Sequence, residues 1–279
     1  MNNLTNYHSH TSFCDGKAPM EAFIAVRQGF TSYGVSSHAP LPFRTRWTID
    51  DREQTGLYLQ EFARLKRLYG DRIELYVGLE IDYMDEDQQP ANDYFQSLPL
   101  DYRIGSVHLL HSTQGEIVDI DTRPEVFREH VRLHLGGDLK RVVLAYFDKL
   151  MRMIGRGGFD FIGHADKISY NVSCCEPDIL GQQWYKDKIS EYFTFIAEKG
   201  AMIEVNTKTL HRNGFLYPNK EHFGLIRTLG IPVVVNSDAH LPELINSGRP
   251  EALRLLKASG IGAVWQLERG VWTEVPIGE

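Results

Sequence analysis

Two histidines lie two residues apart near the start of the chain. His8 and His10 fall in the segment 4–10, which has the character of a short strand. Because side chains alternate between the two faces of a strand, both imidazoles point the same way and could bind one metal ion from one side. A His-x-His pair alone is more typical of an ordinary polar strand end. Histidines and carboxylates that recur where later strands end favour the chemical interpretation.

Eight side chains of this kind fall at or near the carboxyl ends of predicted strands. They are His8, His10, His38, Glu80, His108, His164, Asp238 and His240. Each histidine alone could simply hydrogen-bond a backbone carbonyl, but six imidazoles packed together would repel one another if protonated. Neutral imidazoles and carboxylates suit Zn²⁺, Mn²⁺ or Fe, and a central Glu can bridge two ions, as in two-metal hydrolytic sites.

The elements that must position these side chains alternate between strand and helix. Strands are predicted at 4–10, 33–39, 73–83, 102–110, 159–165, 201–206 and 231–236, with a last strand-like piece at 261–267. Helices are predicted to begin near Pro19 and to span 51–69, 124–135, 139–154, 184–199, 219–229 and 250–259. This alternation predicts an α/β fold with a parallel sheet and crossover helices. One barrel-like domain over 1–279 is the simplest interpretation, and a doubly wound open sheet is the alternative. In a barrel, all strand carboxyl ends share the face that carries active sites.

Composition excludes several classes of protein. The 279 residues are 42% hydrophobic and 24% charged, as in ordinary globular proteins with a sizeable core. A net charge of -7 makes a broad nucleic-acid-binding surface unexpected. No apolar run is long enough to span a bilayer, and residues 1–20 lack the pattern of a signal peptide. Cys14, Cys174 and Cys175 make no disulfide framework, so we expect a reducing, cytoplasmic setting.

The ordered pattern resembles the polymerase-and-histidinol-phosphatase (PHP) superfamily. The likeness rests on His8-x-His10, Asp15 in the following loop, His38, Glu80, His108, His164 and Asp238-x-His240. It covers almost the whole chain and implies a single-domain, distorted (β/α)7 TIM-like barrel that binds two or three divalent ions (Zn, Mn or Fe). The implied ion sites are His8, His10, Glu80 and Asp238; then Glu80, His108 and His164; then Asp15, His38 and His240. On spacing alone, Asp15 could instead belong to an Asp-Gly turn.

Within the superfamily, the chain is most similar to the histidinol-phosphate phosphatases. The similar segments are 36–40, 105–108, 204–207 with 217–218 downstream, and 236–240. The resemblance implies a phosphoric monoester hydrolase of histidine biosynthesis, which converts L-histidinol phosphate to L-histidinol and phosphate by attack of a metal-bridging hydroxide. Glu80, Asp238 and His240 would be catalytic, and either Asp238 or His240 could protonate the leaving group.

The cation that binds phosphate is the point where the chain departs from this family. The family often has a Leu-Arg pair after the segment that matches 204–207, whereas this chain has Leu210-His211-Arg212. We expect Arg212 to supply the cation, with His211 as the other candidate. Further candidates in loops on the same predicted face are Arg44, Arg46 and Arg249, with Lys17 and Lys208 as weaker ones.

Two other functions stay open. One is a PHP phosphoesterase that acts on another small phosphate ester or a nucleotide, and the other is a non-catalytic metal-binding module. The acidic pI of about 5.9 argues against long nucleic-acid substrates, and the complete ligand set argues against a degenerate module. We therefore expect a small phosphate ester as the partner, with no nucleic acid and no membrane. The sequence does not indicate the oligomeric state.

Overall fold

The computed structural model describes residues 4–25 and 29–278, and within them the strands fall into one large sheet and two hairpins. The strands are β1 (Thr5–Asn6), β2 (Ser32–Val35), β3 (Glu74–Asp82), β4 (Tyr102–Ser106), β5 (Leu109–His111), β6 (Ile117–Asp119), β7 (Phe161–Ile162), β8 (Met202–Asn206), β9 (Val233–Asn236), β10 (Ala263–Glu268) and β11 (Val271–Pro276). The large sheet has the order β1-β2-β3-β4-β7-β8-β9, and all its neighbours are parallel.

Helices cross between these strands and cover the outside of the sheet. The α-helices are α1 (Met20–Ala25), α2 (Arg52–Tyr69), α3 (Asp93–Ser97), α4 (Pro124–Leu133), α5 (Leu139–Arg156), α6 (Ile168–Cys175), α7 (Gln183–Glu198), α8 (Leu210–Asn213), α9 (Phe223–Leu229) and α10 (Arg249–Ala258). Short 3₁₀ turns occupy Ile179–Gly181, Lys220–His222 and Pro242–Leu244. The two longest helices begin at aspartate caps, because Asp51 accepts from the Gln54 N–H and Asp138 from the Arg141 N–H. Within the described ranges, no helix combines the length and apolar character that crossing a bilayer requires.

The sheet closes into a barrel just beyond the carboxyl ends of β1 and β9. Ser9 and Ala239 form an isolated parallel bridge there. The His10 N–H donates to the Ala239 carbonyl over 2.8 Å, and the Ala239 N–H donates to the His8 carbonyl over 3.2 Å. The predicted distorted (β/α)7 barrel is thereby confirmed, and the open-sheet alternative is wrong.

Residues that face the barrel interior change from apolar to polar toward the carboxyl end of each strand. Side chains at the amino-terminal end form a buried interior layer that comprises Tyr7, Tyr76, Tyr102, Ile104, Phe161, Met202, Val234 and Leu267. Further along the same strand faces lie Glu80 on β3, four residues after Tyr76, and Glu204 on β8, two residues after Met202. Both are buried. Gly78 leaves room for this layer, because a Cβ there would lie 2.4 Å from the Tyr102 ring.

Several predicted elements differ from those observed. The strand predicted at 4–10 ends at Asn6, and the one at 102–110 ends at Ser106 and continues as the hairpin β5–β6. The piece at 261–267 is not a barrel strand; it pairs antiparallel with β11. This second hairpin covers the amino-terminal end of the barrel, where the Leu267 N–H donates to the Tyr7 hydroxyl over 2.8 Å. The predicted ligands other than Glu80, which lies on β3, consequently lie in the segments after the strands.

Replacement of Tyr102 by Phe tests the interior layer. The Tyr102 hydroxyl is buried and donates to the carbonyls of Tyr7 (2.6 Å) and Val35 (3.1 Å). Its loss leaves buried carbonyls unsatisfied, so we expect Tyr102→Phe to lower the free energy of unfolding by about 1–3 kcal/mol in urea titrations. Tyr94→Phe is the control, since the Tyr94 hydroxyl has no hydrogen-bond partner within residues 4–25 and 29–278. Equal stability of the two variants would contradict the assigned role.

Candidate metal centre

The carboxyl end of the barrel brings the predicted metal residues into mutual contact. Glu80 lies on β3, and the others come from the segments that follow β1, β2, β4, β7 and β9. Most of them are buried. The full set, called the nine-residue cluster below, is His8, His10, Asp15, His38, Glu80, His108, His164, Asp238 and His240. Its members fall into several groups whose side chains could hold a divalent metal ion.

Glu80 lies at the centre of the cluster and is 1% exposed. Its carboxylate oxygens lie 2.8–3.5 Å from nitrogens of five imidazoles. Oε1 contacts His164 Nε2 (2.8 Å) and His108 Nε2 (3.5 Å), and Oε2 contacts His8 Nε2 (3.1 Å), His38 Nδ1 (3.1 Å) and His10 Nε2 (3.4 Å). The Ser106 hydroxyl also donates to Oε1 over 2.7 Å. One carboxylate is therefore shared among all parts of the cluster.

A first group lies on the Oε2 side of Glu80. His10 Nε2 lies 3.2 Å from Asp238 Oδ1, and His8 Nε2 lies 3.8 Å from the same oxygen. Asp238 has φ 49°, in the left-handed region that few side chains adopt, and this backbone turn aims its carboxylate inward. These residues with Glu80 reproduce the composition of the first ion site implied by the resemblance.

A second group lies on the Oε1 side. His108 Nε2 and His164 Nε2 lie 3.1 Å apart, so both nitrogens face one space beside Glu80. The structure adds Asp82, whose carboxylate lies 3.0 Å from His108 Nδ1 and accepts the His108 backbone N–H over 2.8 Å. This arrangement orients the His108 ring, and it also places Asp82 in a possible ligand group with His38 and His108.

A third group joins the cluster at its more exposed side. His240 Nε2 lies 3.2 Å from Asp15 Oδ2, and the rings of His10 and His240 stack with centroids 4.2 Å apart. His38 also lies against His10, with the same centroid separation. Asp15, the least certain member from spacing alone, therefore contacts the cluster instead of only making a turn.

Unpaired polar atoms test whether the cluster fits metal ions. His10 Nε2, His38 Nδ1 and Asp15 Oδ1 are buried and have no hydrogen-bond partner among the residues that the structure describes. His10 Nε2 and His38 Nδ1 lie within 3.4 Å of Glu80 Oε2, but their geometry is not that of hydrogen bonds. Lone pairs left unpaired in a buried site are costly, and a divalent cation would satisfy them. The donor set therefore fits divalent metal ions.

The pKa shifts of the cluster residues also favour bound metal ions. Burial raises the pKa of Glu80, but the charges of the imidazoles around it outweigh burial and hold that pKa well below its usual range. Burial opposes protonation of His8, yet the carboxylates of Glu204 and Glu80 raise its pKa well above the usual value. For His38, burial prevails and lowers the pKa to about 4. An ionised carboxylate thus sits among imidazoles with opposed proton preferences, which bound cations would resolve.

A cavity of about 150 Å³ opens onto the cluster. Four cluster residues line it together with Trp47, Asp119, Asp121 and Lys208. The Lys208 ammonium lies 3.2 Å from Asp238 Oδ1 and 3.4 Å from His240 Nε2. Lys167 approaches from the side, where its Nζ lies 3.1 Å from Asp121 Oδ2. The cavity therefore has a basic side, an acidic side and an aromatic wall.

The structure corrects the predicted positions of the phosphate-binding arginines. Arg249 is not in a loop on this face; it begins α10, is 2% exposed, and its Nε donates to the Val235 carbonyl. Arg44 lines a different cavity, with Asp50 and Asp87 among its neighbours. His211 and Arg212 are exposed on α8 and are absent from the described residues that line the cluster cavity. Lys208, a weaker candidate in the sequence, is the cation found there.

Several residues at the site had no assigned role in the sequence, and Lys208 was only a weaker candidate for binding phosphate. Asp82 could have been found, since it lies two residues after Glu80 and therefore on the same strand face. Glu204 stood only in a family-like segment. Lys167 and Lys208 extend to the site with long side chains. The spacing of residues along a strand does not predict where the end of such a side chain lies.

Comparisons with known proteins agree with this geometry. A model of the PHP domain matches residues 6–208. A "Probable histidinol-phosphatase" of Schizosaccharomyces pombe is 26% identical over 281 residues, which covers 94% of this chain and 89% of that protein. A candidate histidinol phosphatase of Listeria monocytogenes has a solved structure with TM-score 0.77 and 21% identity, over 88% of this chain and 99% of that one. Histidinol phosphate phosphatase of Lactococcus lactis, solved with Zn, L-histidinol and phosphate, gives TM-score 0.70 and 16% identity, over 96% and 98% of the two chains.

Replacement of Glu80 by Gln tests the centre of the cluster. The amide removes the charge that the imidazoles share, so we expect zinc affinity to fall by more than roughly 100-fold, beyond the loss typical of a residue that only orients a ligand. Elemental analysis of dialysed protein measures the bound metal. Glu74→Gln is the matched control, because Glu74 begins the same strand but contacts Tyr76 and Arg269 at the other end of the barrel. Unchanged metal content in a folded Glu80→Gln protein would contradict the assignment.

Proposed function

Because this chain belongs to the PHP domain family, we propose that it is a metal-dependent phosphatase that hydrolyses L-histidinol phosphate to L-histidinol and inorganic phosphate. The observation that carries the proposal is the nine-residue cluster, in which Glu80 contacts five imidazoles beside an open cavity. The names of the relatives and the ligands of the Lactococcus lactis neighbour support the choice of substrate.

Two or three divalent ions (Zn, Mn or Fe) would be held by the groups around Glu80. The first site comprises His8, His10, Glu80 and Asp238, the second Glu80, His108 and His164, and the third Asp15, His38 and His240. Such ions, when bound, supply a water nucleophile of lowered pKa and neutralise charge on phosphate oxygens. We treat residues 1–279 as one domain. Asp238 and His240 lie beyond residues 6–208, which match the PHP domain model, and they still complete the cluster.

Two lysines take the phosphate-binding role that the sequence assigned to Arg212. The Lys208 ammonium already lies 3.2 Å from a cluster carboxylate, and its side chain is 33% exposed toward the cavity. Lys167 is 7% exposed and lies beside the same cavity, paired with Asp121. Cations in these positions bind the non-bridging oxygens and stabilise the charge that they carry in the transition state.

In the two-ion form of the centre, where His240 is not a metal ligand, His240 supplies the proton for the leaving oxygen. Burial raises the pKa of Asp238, but the charges of Lys208 and His8 outweigh it and hold that pKa well below its usual range. An ionised Asp238 cannot donate a proton and serves as a ligand. His240 lines the cavity, its side chain is 17% exposed, and it contacts both Asp238 and Lys208. This position suits general acid catalysis at the mouth of the site.

The other walls of the cavity match the remaining part of the substrate. Asp119 and Asp121 line the cavity, and their carboxylates suit the ammonium group of histidinol phosphate, although Asp121 also pairs with Lys167. Trp47 packs edge-on to His38 with centroids 4.8 Å apart and offers an aromatic wall for an imidazole. A cavity of about 150 Å³ suits a small ester better than a nucleic acid, and an open cluster argues against a non-catalytic metal module.

Free thiols at Cys14, Cys174 and Cys175 support a cytoplasmic setting.

Phosphate release tests the proposed reaction. We expect the zinc- or manganese-loaded protein to release phosphate from L-histidinol phosphate, to lose this activity in strong chelator, and to regain it when either ion is restored. A panel of nucleotides and sugar phosphates should react at least roughly 10-fold more slowly, because they lack an ammonium group for the acidic wall. If no ion supports turnover of L-histidinol phosphate or of any other ester, the proposal is wrong. Preference for another ester would reassign the substrate.

Replacement of Lys208 by Ala tests the phosphate-binding cation. A hydrogen bond to a charged group contributes about 1.5–3 kcal/mol, so we expect kcat/KM to fall roughly 10- to 100-fold and the inhibition constant of inorganic phosphate to rise by a similar factor. Arg212→Ala, the matched control, should change both quantities less than about threefold, because Arg212 is exposed outside the cavity. The reverse ranking of the two variants would restore Arg212 to the role predicted from the sequence.

A further inference from the structure

The sequence pattern left Glu204 without a role, and the structure places its carboxylate directly behind the metal cluster. We propose that Glu204 is a positioning residue, which fixes the tautomer of His8 and the orientation of His164 and Asp238 for metal binding. The inference rests on the metal centre proposed above. Glu204 contacts none of the reacting groups of a substrate and acts only through these neighbours.

Four donors surround the two oxygens of Glu204, which is fully buried. Oε1 accepts from His8 Nδ1 over 2.7 Å and from Asn236 Nδ2 over 3.0 Å. Oε2 accepts from the His164 backbone N–H over 2.8 Å and from Asn206 Nδ2 over 2.9 Å. The Asn236 amide at Oε1 and the His164 N–H and Asn206 amide at Oε2 are fixed donors, so only a side chain that accepts at both ends fits this site. A carboxylate meets that requirement, and an amide does not.

The contact with His8 determines which ring nitrogen is free. Because Glu204 accepts at Nδ1, the proton of a neutral His8 ring lies on Nδ1, and Nε2 keeps its lone pair. Nε2 is the nitrogen that faces the cluster, 3.1 Å from Glu80 Oε2 and 3.8 Å from Asp238 Oδ1. Glu204 therefore sets the form of His8 that can bind a metal.

The contact with His164 acts on the backbone. His164 has φ 30°, a conformation that costs energy for a residue with a side chain and persists only where the surroundings hold it. The hydrogen bond from its N–H to Glu204 Oε2 is one such restraint. With this backbone fixed, His164 Nε2 reaches Glu80 Oε1 at 2.8 Å. Loss of the restraint would release a second predicted ligand.

The two asparagines extend the network to the remaining strands. Asn206 Nδ2 donates to Glu204 and also lies 3.1 Å from Asp238 Oδ2, so Glu204 is linked to a third predicted ligand. Asn236 donates to Glu204 and, through Oδ1, accepts the Tyr7 N–H over 2.8 Å, which fixes the residue before His8. Segments that follow β1, β7 and β9 thus depend on one carboxylate on β8.

Zinc affinity of a Glu204→Gln variant tests the inference, measured by competition with a chromophoric chelator. The amide must point its NH₂ group at existing donors, so we expect a 10- to 100-fold loss of affinity, the range typical of partners that orient metal ligands. Glu74→Gln carries the same chemical change at the far end of the barrel and should bind zinc like the unaltered protein. Circular dichroism establishes that each variant is folded.

A spectroscopic readout separates positioning from a purely structural role. In zinc-loaded protein labelled with ¹⁵N-histidine, we expect one histidine, identified as His8 by its absence in His8→Asn, with a protonated Nδ1 and a zinc-bound Nε2. In Glu204→Gln this signal should shift or exchange. A His8 that binds zinc through Nδ1 in the unaltered protein would overturn the inference even if no Glu204 variant folds.

The remaining outcomes are also distinguishable. A folded Glu204→Gln protein that is less stable without metal but binds zinc with unaltered affinity would show that Glu204 only stabilises the barrel, and it would overturn the inference. Failure of the unaltered protein to bind zinc, manganese or iron would instead overturn the proposed metal centre. Partial recovery of zinc affinity in Glu204→Asp, which keeps the accepting oxygens but shortens the side chain, would support positioning.

Discussion

The shared carboxylate of Glu80 is the interaction on which the rest of the site depends. A negative charge that is 1% exposed is costly to bury unless positive charge or several donors surround it. Apart from the Ser106 hydroxyl, its surroundings consist of imidazole nitrogens within 3.5 Å. Neutral imidazoles can donate from one nitrogen only, and those of His8 and His108 already face carboxylates at Nδ1. The imidazole lone pairs that remain point toward Glu80. Divalent cations are the partners that satisfy both these lone pairs and the negative charge of Glu80.

The barrel supplies what this arrangement requires. Parallel strands end at one face, and each contributes one or two polar side chains there, while the apolar layer around Tyr102 fills the interior below. Strain is concentrated at the same face, since His164 and Asp238 both have positive φ. The His164 N–H donates to the Glu204 carboxylate, and the Asn206 amide donates to Asp238, and these hydrogen bonds hold the two residues in place. Stability thus comes from the amino-terminal end of the barrel and the helices around it, and the carboxyl end carries the site.

The sequence predicted those features that follow from periodicity. Alternation of strands and helices indicated a barrel, and apolar spacing placed α2 and α5 within two residues of their observed bounds. Histidines and carboxylates at strand ends predicted the cluster, because a parallel barrel collects such positions on one face. The hairpin β5–β6 and the pairing of β10 with β11 were missed, since each strand of such short hairpins carries little periodic signal.

Long basic side chains were the least predictable part of the site. Arg249 has a loop-like position in the sequence but extends inward from the start of α10, where the Val235 carbonyl accepts from its Nε. Lys208 lies two residues beyond the interior-facing Asn206 and reaches Asp238. The direction of such side chains depends on the local backbone and on which carbonyls or carboxylates lie nearby, and neither is encoded in residue spacing.

Anomalous X-ray diffraction at the zinc absorption edge, from crystals of zinc-loaded protein, tests the central claim most directly. The account predicts two or three anomalous peaks within bonding distance of the nine-residue cluster, with the Glu80 carboxylate bound to ions on both of its oxygens. Ordered density for Glu80 with no peak beside it, or peaks confined to histidines outside the cluster such as His130 and His134, would contradict the account.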